Sequence, residues 1–138
     1  MTLLAGQSRN STALKNLLLP EPLEADIQIS LIDYLKPREI SCGFLVFAVP
    51  NEGMGKARNT GGIARMARLK RMGLRPGTAD LVFVKYGRVY FLEMKRRGQK
   101  QRETQTQFEN DAIRTGALYA VADSFEKAIA ILQSWKII

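Results

Sequence analysis

The chain contains no histidine and a single cysteine, Cys42. The first absence excludes histidine-based triads and imidazole-ligated metals. The second excludes an internal disulfide and a cysteine-rich zinc site. Acidic residues are also scarce: 13 Asp and Glu stand against 21 Lys and Arg, for a net charge of +8 and a pI near 9.9. An acidic partner is the natural complement, nucleic acid first and an anionic membrane second. No apolar run is long enough to span a bilayer. The opening MTLLAGQSRNST lacks the basic start and long apolar block of a signal peptide. A cytoplasmic setting is therefore expected. Any hydrolytic chemistry must rest on carboxylates, lysine, hydroxyls or a hard metal held by oxygen.

What is present suits one globular domain. A chain of 138 residues, 46% apolar and 25% charged, can bury a real core. Residues 1–22, Ser/Asn-rich and then LLLPEP, are expected to form a flexible tail with one short hydrophobic patch. That leaves 23–138 as a single domain.

Periodicity predicts a helix over Glu24–Lys36, stopped by Pro37. Ile27, Leu31, Ile32, Tyr34 and Leu35 form one arc at 100° per residue, and Glu24 and Gln28 fall inside it. Either the first turn is frayed, with Glu24 favouring the helix dipole, or Glu24 is carried to a site. The continuous apolar run Phe44–Val49 predicts a central strand. A loop follows, then a short helix Ile63–Met72 capped by Gly73. The runs Leu81–Val84 and Val89–Leu92 read as a hairpin turning at Lys85–Arg88. A further helix spans about Thr104–Thr115, with capping-box spacing between Thr104 and Gln107. Gln105 lies three residues before Phe108, on the inward side. ALYAVA predicts a strand. A final helix has Asp123 or Ser124 as its cap and Phe125, Ile129, Leu132 and Trp135 inward. The order α–β–(α)–β–β–α–β–α implies a mixed sheet with helices on both faces.

The hairpin has charges where a buried sheet disfavours them. Asp80 precedes its first strand, and Glu93 and Lys95 end its second. Residues two apart in a strand share a face, so Glu93 and Lys95 point one way and Met94 the other. Closing the hairpin brings Asp80 beside them. Two adjacent carboxylates repel and raise one pKa unless a cation intervenes, and Mg²⁺ with oxygen ligands and retained waters removes the conflict. The pattern is also compatible with a turn aspartate and an exposed strand-end pair.

Basic residues surround it. Gly53–Ala79 holds Lys56, Arg58, Arg65, Arg68, Lys70, Arg71 and Arg75 and no acidic residue. Lys95, Arg96, Arg97, Lys100 and Arg102 form a second cluster. Both suit a phosphate backbone. Asn59-Thr60-Gly61-Gly62 precedes a helix whose N-terminus would accept a phosphate, or else forms an ordinary loop cap.

Six segments in order carry a resemblance: EADIQ (24–28), VPNEG (49–53), GLRPGTADLVF (73–83), FLEMKRRG (91–98), QTQF (105–108) and GALYAV (116–121). Together they resemble the virus-type replication-repair nuclease (VRR-NUC) family of the PD-(D/E)xK superfamily. The resemblance implies a restriction-endonuclease-like αβββαβ core with a central mixed sheet flanked by helices. It implies Asp80 and Glu93 as ligands of Mg²⁺ or Mn²⁺, the Met94 carbonyl as a third, Lys95 as catalytic lysine and Glu24 as a helix-borne acid acting directly or through water. Gln105 would be the glutamine of the Q-x-x-F/W motif, and Gln107 would merely cap its helix. One departure is visible: Ala79 stands where the family has proline, which touches the rigidity of the turn and no ligand. The implied activity is DNA endonuclease cleavage in replication, repair or recombination, by a homodimer selective for branched DNA such as four-way junctions, in a bacterial or phage-infected cell. A flap- or single-strand-selective nuclease and a non-catalytic nucleic-acid-binding protein are the alternatives. A membrane-surface protein is weaker, because the basic residues mix with Gly and Asn in place of one long amphipathic helix.

Overall fold

The computed structural model describes residues 23–50 and 60–138. The N-terminal tail, Lys56, Arg58 and Asn59 lie outside the described residues.

Helix α1, Glu24–Leu35, buries Ile27, Leu31 and Leu35, one residue per turn along a single stripe. Pro37 ends it, but the chain keeps a helical course. A 3₁₀ turn, Lys36–Arg38, places Pro37 where its missing N–H does no harm, and one further turn, α2 (Glu39–Cys42), closes at Gly43 with φ 70°.

The four described strands are β1 (Leu45–Ala48), β2 (Leu81–Lys85), β3 (Arg88–Met94) and β4 (Leu118–Ala122), in the spatial order β1-β2-β3-β4. β1 and β2 are antiparallel, as are β2 and β3, and β3 and β4 are parallel. The sheet is mixed, as the element order requires. β1 is a correction, because it forms an edge of the described sheet where its continuous apolar run predicts a central position. Val46 faces the core at 1% exposure, while Leu45 and Phe47 remain 53% and 46% exposed. Hydrophobicity on alternate positions does not say whether the outer face is covered. Only the packing of other elements decides that.

The β2–β3 hairpin closes through Tyr86 (φ 50°) and Gly87 (φ 74°), a two-residue turn with both central residues left-handed, which matches the strand twist. Helix α3 (Thr60–Arg71) precedes the hairpin, α4 (Glu103–Arg114) crosses from β3 to β4, and α5 (Phe125–Ser134) ends the order. Ser124 caps α5 by accepting from the Lys127 N–H at 3.1 Å.

Strand alternation sorts the sheet into two faces. Phe83, Tyr90, Leu92 and Met94 join Leu31, Leu35, Ala128 and Leu132 in the main core under α1 and α5. Phe91 lies on the other face with Ala79, Phe108 and Ala112 under α4. Phe91 and Phe108 meet edge to face with ring centroids 5.0 Å apart. Trp135 and Phe125 reach the main core only half-buried, and Ala128 and Leu132 are the fully buried residues of α5.

The two faces of the sheet predict unequal responses to truncation. Phe83→Ala, in the sealed core, is expected to lower unfolding free energy by about 3–5 kcal/mol. Phe47→Ala, on the uncovered side of β1, should cost no more than about 1 kcal/mol. Urea denaturation midpoints of the two variants check this. Equal losses would show that β1 is covered on both faces.

Candidate active site

The hairpin register builds the centre of the site. Leu81 lies opposite Leu92, so one step outward sets Asp80 against Glu93. Asp80 is held at two points. Its carbonyl accepts from Val49 N–H at 2.9 Å, extending the β1–β2 pairing. Its Oδ2 accepts from Met94 N–H at 2.8 Å. β4 continues the ladder on the far side of β3, where Lys95 N–H donates to the Ala122 carbonyl at 2.9 Å. β3 is thus gripped from both sides at Met94 and Lys95.

Glu93 and Lys95 share the Phe91 face of the sheet, and both are buried, at 2% and 8% exposure. They form an ion pair, Lys95 Nζ to Glu93 Oε1 at 3.1 Å. The reading of an exposed strand-end pair is excluded by this burial. Met94, at 0% exposure, points into the main core on the opposite face.

Helix α4 adds Gln105. Its Oε1 accepts from the Arg102 N–H at 2.9 Å, and its Nε2 donates to Glu93 Oε1. One amide therefore caps its own helix and reaches the carboxylate of β3. The N-cap is Arg102, and the capping interaction belongs to Gln105 in place of the predicted Thr104 and Gln107. Gln107 instead lies beside Asp111, whose pKa it helps to lower. The same capping spacing lies two residues earlier in the sequence, because the helix starts at Glu103.

Gly77 explains how α4 comes so near. It has φ 80°, and a Cβ there would collide with the Thr104 carbonyl and approach Gln105 N to 2.6 Å. The turn before Asp80 therefore lies directly against the first turn of α4. Ala79 is fully buried beside Phe108 and Ala112. Packing against α4 supplies rigidity at the turn where the family pattern has a proline.

The charges are out of balance. Burial raises the Glu93 pKa and nearby Asp80 raises it further. The hydrogen bond and charge of Lys95 pull it down without compensating, and it stands at about 7 against an ordinary 4.5. Glu24, at the start of α1, is also raised, by burial first and then by Asp80, against the pull of Lys95, Arg96 and Arg102. The helix-borne acid therefore lies within electrostatic reach of the strand-borne pair. Tyr119, which accepts from Gln101 Nε2 at 3.1 Å, is pushed up by burial and by the Glu93 charge.

Among the described residues no three His, Cys, Asp or Glu side chains converge to cage an ion by themselves. The donors nevertheless suit a hard divalent cation. Glu93 Oε2 is buried and has no hydrogen-bond partner among the described residues. An orphan carboxylate oxygen at that depth is costly unless a cation satisfies it. Mg²⁺ typically takes one or two carboxylates and completes its shell with water and substrate phosphate.

Arg65, Arg68, Lys70 and Arg71 on α3, and Arg96, Arg97 and Lys100 after β3, are all exposed. Arg75 is engaged within the fold: it pairs with Asp111 and lies over the Phe108 ring at 5.8 Å. Gly61 and Gly62 belong to the first turn of α3, which begins at Thr60, and not to a loop before it. Between α3 and α4 lies a cleft of about 260 Å³ with Asp80 and Gln105 on its wall. Lys70 and Arg102 line it too. Sequence reasoning placed Arg102 only in a basic cluster. Its position as N-cap over the cleft follows from where α4 begins.

An αβββαβ mixed sheet bearing carboxylates and a lysine at the ends of its central hairpin has the restriction-endonuclease-like architecture. No family model and no curated protein matches the chain. Among solved structures it is similar to a VRR_NUC domain protein at 17% identity and TM-score 0.65, over 85% of this chain and 90% of that one. It is also similar to a VRR_NUC domain at 22% identity and TM-score 0.52, over 81% of this chain and 96% of the other. The chain has the VRR_NUC fold.

The raised Glu93 pKa fixes a sign for metal-free stability. Between pH 4.5 and about 7 the folded protein binds a proton that the unfolded chain has released, so stability falls as pH rises through that window. The loss by pH 8 should be on the order of 1–3 kcal/mol. Glu93→Gln should flatten the profile. Denaturant melts in EDTA from pH 5 to pH 8 check this, and a profile rising with pH in the wild type would contradict it. Gly77→Ala should lower the melting temperature by forcing α4 away from the Asp80 turn, which differential scanning calorimetry reads directly.

Proposed function

We propose that this protein is a VRR-NUC nuclease: a Mg²⁺- or Mn²⁺-dependent DNA endonuclease hydrolysing phosphodiester bonds. The observation that carries the reading is the buried Glu93 Oε2, without a hydrogen-bond partner among the described residues, beside Asp80, with Lys95 3.1 Å from the same carboxylate and a basic surface around it. A purely structural ion pair would leave no such oxygen unsatisfied.

Asp80 and Glu93 would hold the ion, with the Met94 carbonyl as a third ligand and Glu24 contributing through water. A bound divalent ion supplies charge stabilisation at the phosphate and acidifies the attacking water. The protein side of the chemistry rests on Lys95. Glu93 anchors its ammonium, which orients the water and offsets negative charge developing on the phosphate. Gln105 hydrogen-bonds Glu93 Oε1, so Oε2 would be the oxygen available to an ion. Arg65, Arg68, Lys70, Arg71, Arg96, Arg97 and Lys100, with Lys56 and Arg58 from the segment outside the described residues, would hold the backbone with little base readout.

Branched DNA is the favoured substrate and a homodimer the favoured assembly, since paired cuts on a junction suit two sites related by a twofold axis. No helix among the described residues is long and apolar enough to cross a membrane, and the charge is directed to nucleic acid.

Asp80→Ala and Lys95→Ala should each reduce cleavage by at least roughly a hundredfold while DNA affinity changes little. A panel of four-way junction, flap, splayed-arm, duplex and single-stranded DNA with Mg²⁺ or Mn²⁺ supplies the measurement. Cleavage that survives both substitutions would refute the assignment, and paired symmetric nicks confined to junctions would support a resolvase.

A further inference from the structure

The cleft between α3 and the first turn of α4 has a composition that backbone binding leaves unexplained. Met66, Leu74 and Pro76 give it apolar lining, and Lys70 and Arg102 bring positive charge to it. Asp80 stands on its wall, so the cleft opens directly onto the acidic centre. A site for bare phosphate needs donors and cations and gains nothing from three apolar side chains. A site for an apolar ligand gains nothing from a lysine and an arginine. A nucleotide presents both chemistries, an apolar base face and an anionic phosphate.

Size narrows the occupant. The volume is about 260 Å³, just below the roughly 300 Å³ at which pockets for drug-sized ligands begin. That space is on the order of one nucleotide. A base seated against these side chains has left its duplex, and unstacking is least costly where pairing is already interrupted.

We propose that this cleft receives one unpaired nucleotide adjoining the scissile phosphate, its base against Met66, Leu74 and Pro76 and its phosphate between Lys70 and Arg102. The inference rests on the nuclease reading and assigns to this cleft the recognition of an unpaired nucleotide next to the cut. Exposed arginines elsewhere bind any backbone. The cleft is the element that selects.

Two measurements test it. In metal-free buffer, fluorescence anisotropy compares wild-type binding to a flap oligonucleotide carrying either a normal base or an abasic residue at the unpaired position. Removal of the base should weaken binding about tenfold, as loss of one base contact does. With Mg²⁺, the cleavage rate ratio of flap to fully paired duplex is measured for wild type, Met66→Trp, which fills the cleft, and Arg102→Ala, on the exposed N-cap. The ratio should fall towards one in both variants. Equal binding of base and abasic DNA would overturn the inference, as would variants that slow flap and duplex cleavage by the same factor. A wild-type protein that cleaves nothing would remove the nuclease reading, and the metal-free comparison would then decide the cleft alone.

Discussion

A carboxylate buried on an interior strand is the constraint around which the rest of this molecule is arranged. Glu93 sits at 2% exposure on β3, where an isolated ionised group would be strongly disfavoured. Three neighbours bear on it. Lys95 pairs with it, Gln105 hydrogen-bonds the same oxygen, and Asp80 repels it. Attraction is concentrated on Oε1, while Oε2 is left without a partner among the described residues. Repulsion and burial together outweigh the lysine, as the raised pKa records. Carboxylates perturbed in this way by burial and a like charge cluster at functional sites.

The surrounding elements serve that arrangement. The hairpin turn fixes the register, which aligns Asp80 with Glu93. The Met94 N–H bond then holds the aspartate in place. Gly77 permits a backbone approach that brings the first turn of α4 against the turn before Asp80, and Gln105 enters on that turn. The larger core under α1 and α5 makes β3 rigid from behind, while the smaller Phe91–Phe108 cluster seats α4 in front. Each contact is ordinary packing, and their sum is a positioned acidic pair with a lysine beside it.

Much of this was legible in the sequence because it depends on short-range periodicity. Alternation along Val89–Lys95 separates Met94 from Glu93 and Lys95, and the two-residue turn sets the partner strand without reference to anything distant. The order of helices and strands implied a mixed sheet covered on both faces. The errors fall where local pattern is silent. Phe44–Val49 reads as central although β1 lies at an edge, because four apolar residues look alike whether one or two faces are covered. The cap of α4 shifts from Thr104 to Arg102, since capping spacings repeat along QRETQTQ and only the true start of the helix chooses among them. Arg75, one of seven basic residues between Gly53 and Ala79, is committed to Asp111 on α4, a residue 36 positions away that no local pattern pairs with it.

The amino-acid sequence by itself determined which chemistry was possible. Without histidine, and with one cysteine, only carboxylates, lysine, hydroxyls or a hard metal held by oxygen remained, and the pleat set Glu93 and Lys95 on one face. Tertiary structure decided what those residues experience. Burial, which comes from β4 and α4 closing over β3, turns a common surface pair into a strained one. The approach of α4 at Gly77 brings Gln105 to Glu93, and the placement of α3 opens a cleft beside Asp80. Those outcomes depend on the distance between elements far apart in the chain, and solvent exclusion, which sets the strength of every charge in the site, exists only once they have packed.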